Sequence, residues 1–388
     1  MTISQDIRIL YVIGELATGG AERHLAMVLP RLRSCGIEPA VYTLEARGEL
    51  ADALEAAGVP VLTVWGAGFL SRMPRIVRLT LSFATLLAVI LRRRPSVIHM
   101  FLPAAYLVGG LASLLTRIPH RIMSRRSLNH YQLHHPLSAR IERRLHSRME
   151  VLLGNSTRVV DDLLAEGAPP KRVRKIYNGV AASAFPIGSA REACRQRIRT
   201  NLGIDSDDVV IICVANLFFY KGHVDLIEAF GVMEANCRVK WHLLCVGRDA
   251  GMRRALEAQV AALRMTGCVH FLGQRDDVED LLAASDVGVL ASYEEGFSNA
   301  VIEGMAAGLP MVVTDVGGNP EAIVDGECGY VVPSHNPEAL ACALSVLLSD
   351  PGRRAAMGSA GRARMEKHFS LDACVSTYEH LYKSVCTR

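Results

Sequence analysis

Short uninterrupted apolar runs alternate with longer stretches of helical periodicity from one end of the chain to the other. Ile7–Ile13, Ala40–Thr43, Val59–Val64, Val97–His99, Arg121–Ser124, Val151–Gly154 and Val173–Ile176 read as strands. After an interruption come Val209–Val214, Trp241–Val246, Val269–Leu272, Val287–Leu290 and Met311–Thr314. Brief apolar runs separated by helices are the mark of parallel strands covered on both faces. The pattern predicts an α/β chain with two doubly wound parallel sheets. The interruption spans Tyr177–Ser189, with Asn178-Gly179, Pro186 and Gly188 as turn signals. It divides the chain into domains over residues 1–185 and 190–365. Residues 366–388 form a third segment, in which about Glu366 to Cys386 reads as a terminal helix.

Composition sharpens this picture in three places. The chain has 388 residues, half of them hydrophobic, enough for two cores. Its net charge of +4 is unevenly spread. Residues 1–180 hold 24 Lys and Arg against 13 Asp and Glu, and no acid lies between Glu55 and Glu142, where there are eleven arginines. Such asymmetry predicts an acidic partner for the first half. The ten cysteines form no C-x-x-C and no zinc-type spacing, which predicts free thiols in a reducing compartment. No signal peptide opens the sequence, so the expectation is a cytoplasmic protein.

Leu79–Leu91 is apolar but thirteen residues long, short of the roughly twenty needed to span a bilayer. Arg72, Arg75 and Arg78 precede it and Arg92, Arg93 and Arg94 follow. It reads either as a core-facing helix or as one lying in the headgroup layer. No G-x-G-x-x-G and no P-loop occurs, which argues against dehydrogenases and P-loop NTPases. No nucleic-acid-binding motif accompanies the basic half, so nucleic acid is not an expected partner.

The candidate chemistry lies around Glu295 and Glu303. An apolar strand ends at Ala291, and a helix is predicted to start near Ser298. Glu295 then falls in the loop and Glu303 over a turn into the helix. In open parallel sheets ligands bind where strands end and helices begin, and free N–H groups there attract phosphate. Thr18-Gly19-Gly20-Ala21-Glu22 offers a similar glycine-flanked helix start after the first strand.

The stretch from Val209 to Pro333, with Glu295 and Glu303 in a Glu-x7-Glu arrangement, resembles the signature of retaining glycosyltransferases of the GT-B type, within them the group-1 (GT4-like) family. The resemblance covers nearly the whole chain. It implies two Rossmann-like domains facing a cleft, the first taking the acceptor and the second the nucleotide-sugar, with the terminal helix crossing back to the first. It implies that Glu303 binds the ribose and that Glu295 lies near the donor sugar. Lys221, in the family's Lys-Gly position, would neutralise pyrophosphate, and Gly296, Phe297 and Ser298 would meet phosphate or sugar through their backbone. Gly19 and Gly20 match the first-domain loop facing donor phosphate, and Arg275 lies in the loop that holds the base.

Two departures stand out. Asn216 and Phe218 occupy the places where the family carries a phosphate-binding arginine, and Ala181 stands where it carries aspartate. Asn216 is kept as a donor contact. Arg125 or Arg126 is expected to be the first-domain group that faces the cleft, close to a histidine set of His99, His130, His134 and His135.

The implied function is transfer of a sugar from a UDP- or GDP-sugar to a glycan or lipid-linked acceptor, in cell-surface polysaccharide or glycolipid assembly. Neither metal nor cofactor is expected. The basic half adds a peripheral place at the inner, anionic face of the cytoplasmic membrane. The alternative, motivated by the departures, is a non-catalytic sugar-nucleotide-binding scaffold subunit.

Overall fold

The structure, a computed structural model, describes residues 7–64, 74–234 and 239–387. Arg72 lies outside them, as does the side chain of Arg75. Among the described residues there are two sheets. The first holds β1 (Ile7–Ile13), β2 (Ile37–Thr43), β3 (Val61–Thr63), β4 (Val97–Phe101), β5 (His120–Arg125), β6 (Val151–Gly154) and β7 (Val173–Lys175). The second holds β8 (Val209–Val214), β9 (Trp241–Val246), β10 (Val269–Gly273), β11 (Val287–Leu290), β12 (Met311–Thr314) and β13 (Gly329–Val332). Their orders are β3-β2-β1-β4-β5-β6-β7 and β10-β9-β8-β11-β12-β13, and every pair is parallel.

Each sheet reverses its strand order beside its first strand. β1 lies between β2 and β4, and β8 lies between β9 and β11. At such a switch point the connections of the two neighbours leave on opposite sides and open a crevice past the strand ends. The loop after β1 carries Gly19 and Gly20. The loops after β8 and β11 carry Lys221 and Glu295.

The chain forms two compact units, one of residues up to Gly179 together with those from Leu371 onward, the other Val180–Ser370. Residues 180–185, expected in the first domain, are in the second unit. The chain's two passages between units are adjacent, since Val180 pairs with Ser370 and its N–H bonds the Phe369 carbonyl at 3.0 Å. The expected terminal helix is in fact broken. One helix runs Pro351–His368 and another Leu371–Cys386, and the turn at Phe369-Ser370 falls at the unit boundary. β13 was not expected. It is four residues long and begins with glycine, so no apolar run marks it.

The apolar stretch Leu79–Leu91 is the middle of a helix, Arg75–Arg93. Ser82, Leu86 and Ile90 are buried, and Leu86 and Ile90 join the first core with Leu10, Tyr42, Ile98 and Met100. Its opposite face leaves Val77, Leu81 and Leu91 exposed. The core-facing reading therefore holds for one face only. No helix among the described residues is long and apolar enough to cross a membrane. The nine described cysteines are all free thiols.

Helix Leu371–Cys386 packs on helix Gly20–Ser34 and on β1. A buried chain of hydrogen bonds fixes it. Tyr11 donates to the Tyr382 hydroxyl at 2.8 Å, Tyr382 lies 2.7 Å from His99 Nδ1, and His99 Nε2 lies 2.8 Å from Ser124 Oγ. Neutral His99 completes the chain, accepting at Nδ1 and donating from Nε2. Arg126 adds a bond to Tyr378 Oη at 2.5 Å. His24, fully buried beside Tyr378, has neither ring nitrogen bonded. Burial first, and the Arg126 charge second, hold His24 and His99 well below the ordinary histidine pKa.

Replacing Tyr382 by Phe leaves the Tyr11 hydroxyl and His99 Nδ1 buried without their partner. The expected loss is about 1–3 kcal/mol, seen as a lower urea midpoint. The depressed histidine pKa values mean that the unfolded chain binds more protons in acid. Their stabilisation is full above about pH 6.5 and is lost as pH falls below it. A urea midpoint that drops from pH 7 to pH 5, and drops less steeply in His24→Phe, is the expected result.

Candidate functional site

Lys221 and Glu295 meet at the switch point of the second sheet. Lys221 ends a short 3-10 turn after β8, and Glu295 lies in the loop after β11. Lys221 Nζ donates to Glu295 Oε1 at 2.6 Å, and Ser292 Oγ donates to the same oxygen at 2.7 Å. Both side chains are largely buried, with 18% and 9% of their surface exposed. Burial alone would lower the lysine pKa. The Glu295 charge and hydrogen bond outweigh it and hold the ammonium above its ordinary value. Beneath the pair, burial pushes the Cys213 thiol up to about 12 and, with Lys221's charge, His223 down to about 4. Both are neutral near pH 7.

Backbone contacts hold these loops in register. Gly222 has φ of +68°, and a Cβ there would lie 1.8 Å from the Ala291 carbonyl oxygen. Tyr293 N–H bonds the Tyr220 carbonyl at 2.7 Å. On the other side, Gly317 at φ +54° has no room for a Cβ, which would fall 1.9 Å from the Glu295 carbonyl. Gly318 N–H bonds the Gly296 carbonyl at 2.9 Å. Thr314 Oγ1 bonds the Ser292 carbonyl at 2.6 Å. Two glycines therefore let the loops after β8 and β12 close on the loop that carries Glu295.

The remaining expected residues are placed as follows. Gly296, Phe297 and Ser298 lead into helix Asn299–Ala306, with Ser298 as its N-cap residue, extended and making no side-chain cap. The Phe297 ring is buried 5.3 Å from Phe369, so only its backbone is available to a ligand. Glu303 is half-buried one turn into the helix. Asn216, at the end of β8, spends its side-chain oxygen on the N–H of Arg248 at 2.9 Å. Arg275 forms a two-bond fork with Asp277, at 2.8 and 2.6 Å. Gly19 and Gly20 begin helix Gly20–Ser34 in the first unit, where the Glu22 carboxylate lies against Gly19. Burial there raises the Glu22 pKa.

Arg125 is buried inside the first unit, which corrects the expectation for that residue, whereas Arg126 is half-buried with partners of its own. Arg125 is 3% exposed and pairs with Glu142 at 3.0 Å and with Glu166. Arg126 bonds Asn178 and lies over the Phe101 ring. His99 is buried in its hydrogen-bonded chain, apart from the exposed His130, His134 and His135. Arg248 was missed by the sequence reading. It is exposed just past the end of β9, with its backbone fixed by Asn216, and its guanidinium has no partner among the described residues. Gly-Arg directly after a strand was the available signal. Among the described residues no three His, Cys, Asp or Glu side chains are grouped to hold a metal.

Gly222→Ala meets both a left-handed backbone and the Ala291 carbonyl. It is expected to cost more than about 2 kcal/mol by urea unfolding, above the roughly 1–2 kcal/mol of the conformation alone. Gly203→Ala is the control, since Gly203 is also left-handed at φ +67° but has open space around it.

The sequence pattern described as Glycosyl transferases group 1 matches residues 195–364, and that described as Glycosyltransferase Family 4 matches residues 18–183. An N-acetyl-alpha-D-glucosaminyl L-malate synthase of Bacillus anthracis is 30% identical over 217 residues, 56% of this chain and 55% of that protein. A D-inositol 3-phosphate glycosyltransferase of Corynebacterium diphtheriae is 30% identical over 248 residues, 62% of this chain and 57% of that protein. The chain thus spans little more than half the length of these relatives. The crystal structure of Anabaena HepE in complex with UDP-glucose superposes with a TM-score of 0.85 at 22% identity, over 97% of this chain and 99% of that one. The fold is of the GT-B type, and the chain belongs to the group 1, GT4-like glycosyltransferase family.

Proposed function

We propose that this member of the group 1 glycosyltransferases is a retaining enzyme that moves a sugar from a nucleotide-diphosphate sugar to a glycan or lipid-linked acceptor. The observation that carries the proposal is the buried Lys221–Glu295 pair at the β8/β11 switch point. A UDP-sugar is favoured as donor over a GDP-sugar, in keeping with the UDP-glucose bound by Anabaena HepE. Glu303 takes the ribose hydroxyls. The backbone of Gly296 to Ser298 meets phosphate at the start of helix Asn299–Ala306, where the positive end of the helix favours anions. Arg248 adds a cation beside Asn216, in place of the arginine that the family carries there. Arg275, once released from Asp277, is the contact for the base.

In the reaction the bond between the anomeric carbon and the diphosphate oxygen breaks, and the pair of electrons leaves with the nucleotide diphosphate. A bond forms from the acceptor oxygen to the same face of that carbon. The acceptor's proton passes to a phosphate oxygen. Lys221 stabilises the charge that develops on the departing diphosphate, a contribution that is often the largest catalytic term. Glu295, freed from Lys221 as the lysine turns to phosphate, accepts from the hydroxyls of the donor sugar. The proposal needs no metal, because Lys221 and helix N–H groups supply the positive charge. The acceptor belongs to cell-surface polysaccharide or glycolipid assembly, with the enzyme peripheral on the inner face of the membrane.

Turnover of UDP-glucose, UDP-N-acetylglucosamine and GDP-mannose by the purified protein tests the reading. Lys221→Ala is expected to lower kcat by about 10²–10³-fold, and Glu295→Gln to lower it without abolishing UDP binding. Activity should persist in EDTA, and proton NMR should show the product with the donor's anomeric configuration. Tight UDP binding with no turnover of any donor would instead favour the scaffold subunit.

A further inference from the structure

The first unit's sheet has a second end that plays no part in the site above. At the starts of β1, β2, β3 and β4 a concavity of about 440 Å³ is lined by Arg8, Arg33, Arg92 and Arg93, with Glu38 the one acidic lining residue. At the starts of β5, β6 and β7 another of about 460 Å³ is lined by Arg121, Arg148, Lys171, Arg172 and Arg174. Its one acid, Glu150, is bonded to His120 at 2.7 Å. Arg121 and Arg172 are spent on backbone carbonyls. The other seven cations have no hydrogen bond or ion pair among the described residues.

Arginines at helix C-termini are ordinary complements to the helix dipole, and that role covers Arg33, Arg92 and Arg93. It does not cover Arg8 on β1, nor the convergence. The matching edge of the second unit shows the contrast. There Arg191, Arg354 and Arg362 line a concavity with Asp286, and they bond the carbonyls of Ala283, Leu347 and Ala306. Those charges are satisfied from within, whereas the first unit's seven are exposed to solvent and open to a partner from outside.

An apolar element shares this edge. Helices Arg75–Arg93 and Pro103–Leu115 pack together and both end here. Leu91 is 64% and Leu115 68% exposed, followed directly by Arg92–Arg94 and by Thr116-Arg117. Unpaired arginines next to bare leucines match a charged, partly apolar interface. A nucleic acid or a soluble polyanion would use the cations and leave the leucines in water.

We propose that the strand-start edge of the seven-stranded sheet is a membrane-docking surface, which takes the phosphates of anionic lipids on its arginines and sinks Leu91 and Leu115 into the headgroup boundary. The proposal locates, and rests on, the peripheral-membrane part of the function above. Arginine matches phosphate by two parallel bonds. Docking at this edge leaves the loops at the opposite end of the strands uncovered.

Co-sedimentation of the full chain with vesicles is the test. It should bind phosphatidylcholine vesicles containing phosphatidylglycerol, not those of phosphatidylcholine alone, and bind less as salt rises. Each surface arginine is worth roughly fivefold in partitioning, so Arg92→Gln with Arg93→Gln should weaken binding about 30-fold. Leu91→Ser with Leu115→Ser should weaken it with the salt slope unchanged. Arg23→Gln with Arg158→Gln, an equal charge change at the starts of helices Gly20–Ser34 and Thr157–Ala165, should bind as the parent does. Equal losses from both arginine pairs would overturn the location. Insensitivity to the leucine change, with full displacement by tripolyphosphate, would point to a soluble polyanion and overturn the bilayer. No vesicle binding would overturn this surface together with the peripheral placement, while donor turnover by the same preparation would leave the transferase reading intact. Melting temperatures, with and without UDP, confirm that each variant is folded.

Discussion

A single buried ion pair, Lys221 with Glu295, ties together the loops after β8 and β11 of the second unit. Either charge alone would be costly to hold so far from water, and removing one partner strands the other. Together each offsets the other's burial, and Ser292 gives the carboxylate a further donor. The pair bridges two loops that leave adjacent parallel strands, and these loops would otherwise diverge at the switch point. It is thus a structural tie while no ligand is present, and a cation and a carboxylate at the mouth of the crevice. A diphosphate can compete for the ammonium because it offers more negative charge at the same distance. In the proposed reaction the carboxylate is then released towards the hydroxyl groups of the donor sugar.

The precision of this arrangement comes from main chain. Gly222 and Gly317 each stand where any side chain would strike a carbonyl of the opposing loop. Closing loops by backbone contact leaves their positions independent of rotamer changes and fixes the charged groups to a fraction of an ångström. The first unit uses its charges in a different way. Arg125, Glu142, Glu166 and His146 form a buried network behind β5, and Glu166 is held down near a pKa of about 2, where the bonds from His146 and Arg125 outweigh burial. Arginines with so many internal partners build the fold. Several of those without partners converge at the strand starts.

Much of this was readable in the order of residues. β1, β6, β8, β9, β11 and β12 begin and end where the apolar runs do, because a strand buried on both faces is nothing but such a run. β13 escaped because glycine opens it and turns flank it. The break at Phe369-Ser370 escaped because helical periodicity continues on both sides, and only the passage between units interrupts it. Glu295, Glu303 and Lys221 were legible through a pattern more than a hundred residues long. The contact between Lys221 and Glu295 was not, since it depends on which strands become neighbours. Nor could spacing show that Arg125 and Arg126 are consumed internally, as their partners lie up to 252 residues away.

The most direct measurement is a crystal structure of the protein soaked with UDP-glucose. The account predicts a diphosphate oxygen within about 3 Å of Lys221 Nζ, the ribose on Glu303, and Glu295 turned from the lysine to the sugar. A diphosphate bound elsewhere, with the lysine still held by Glu295 alone, would contradict it.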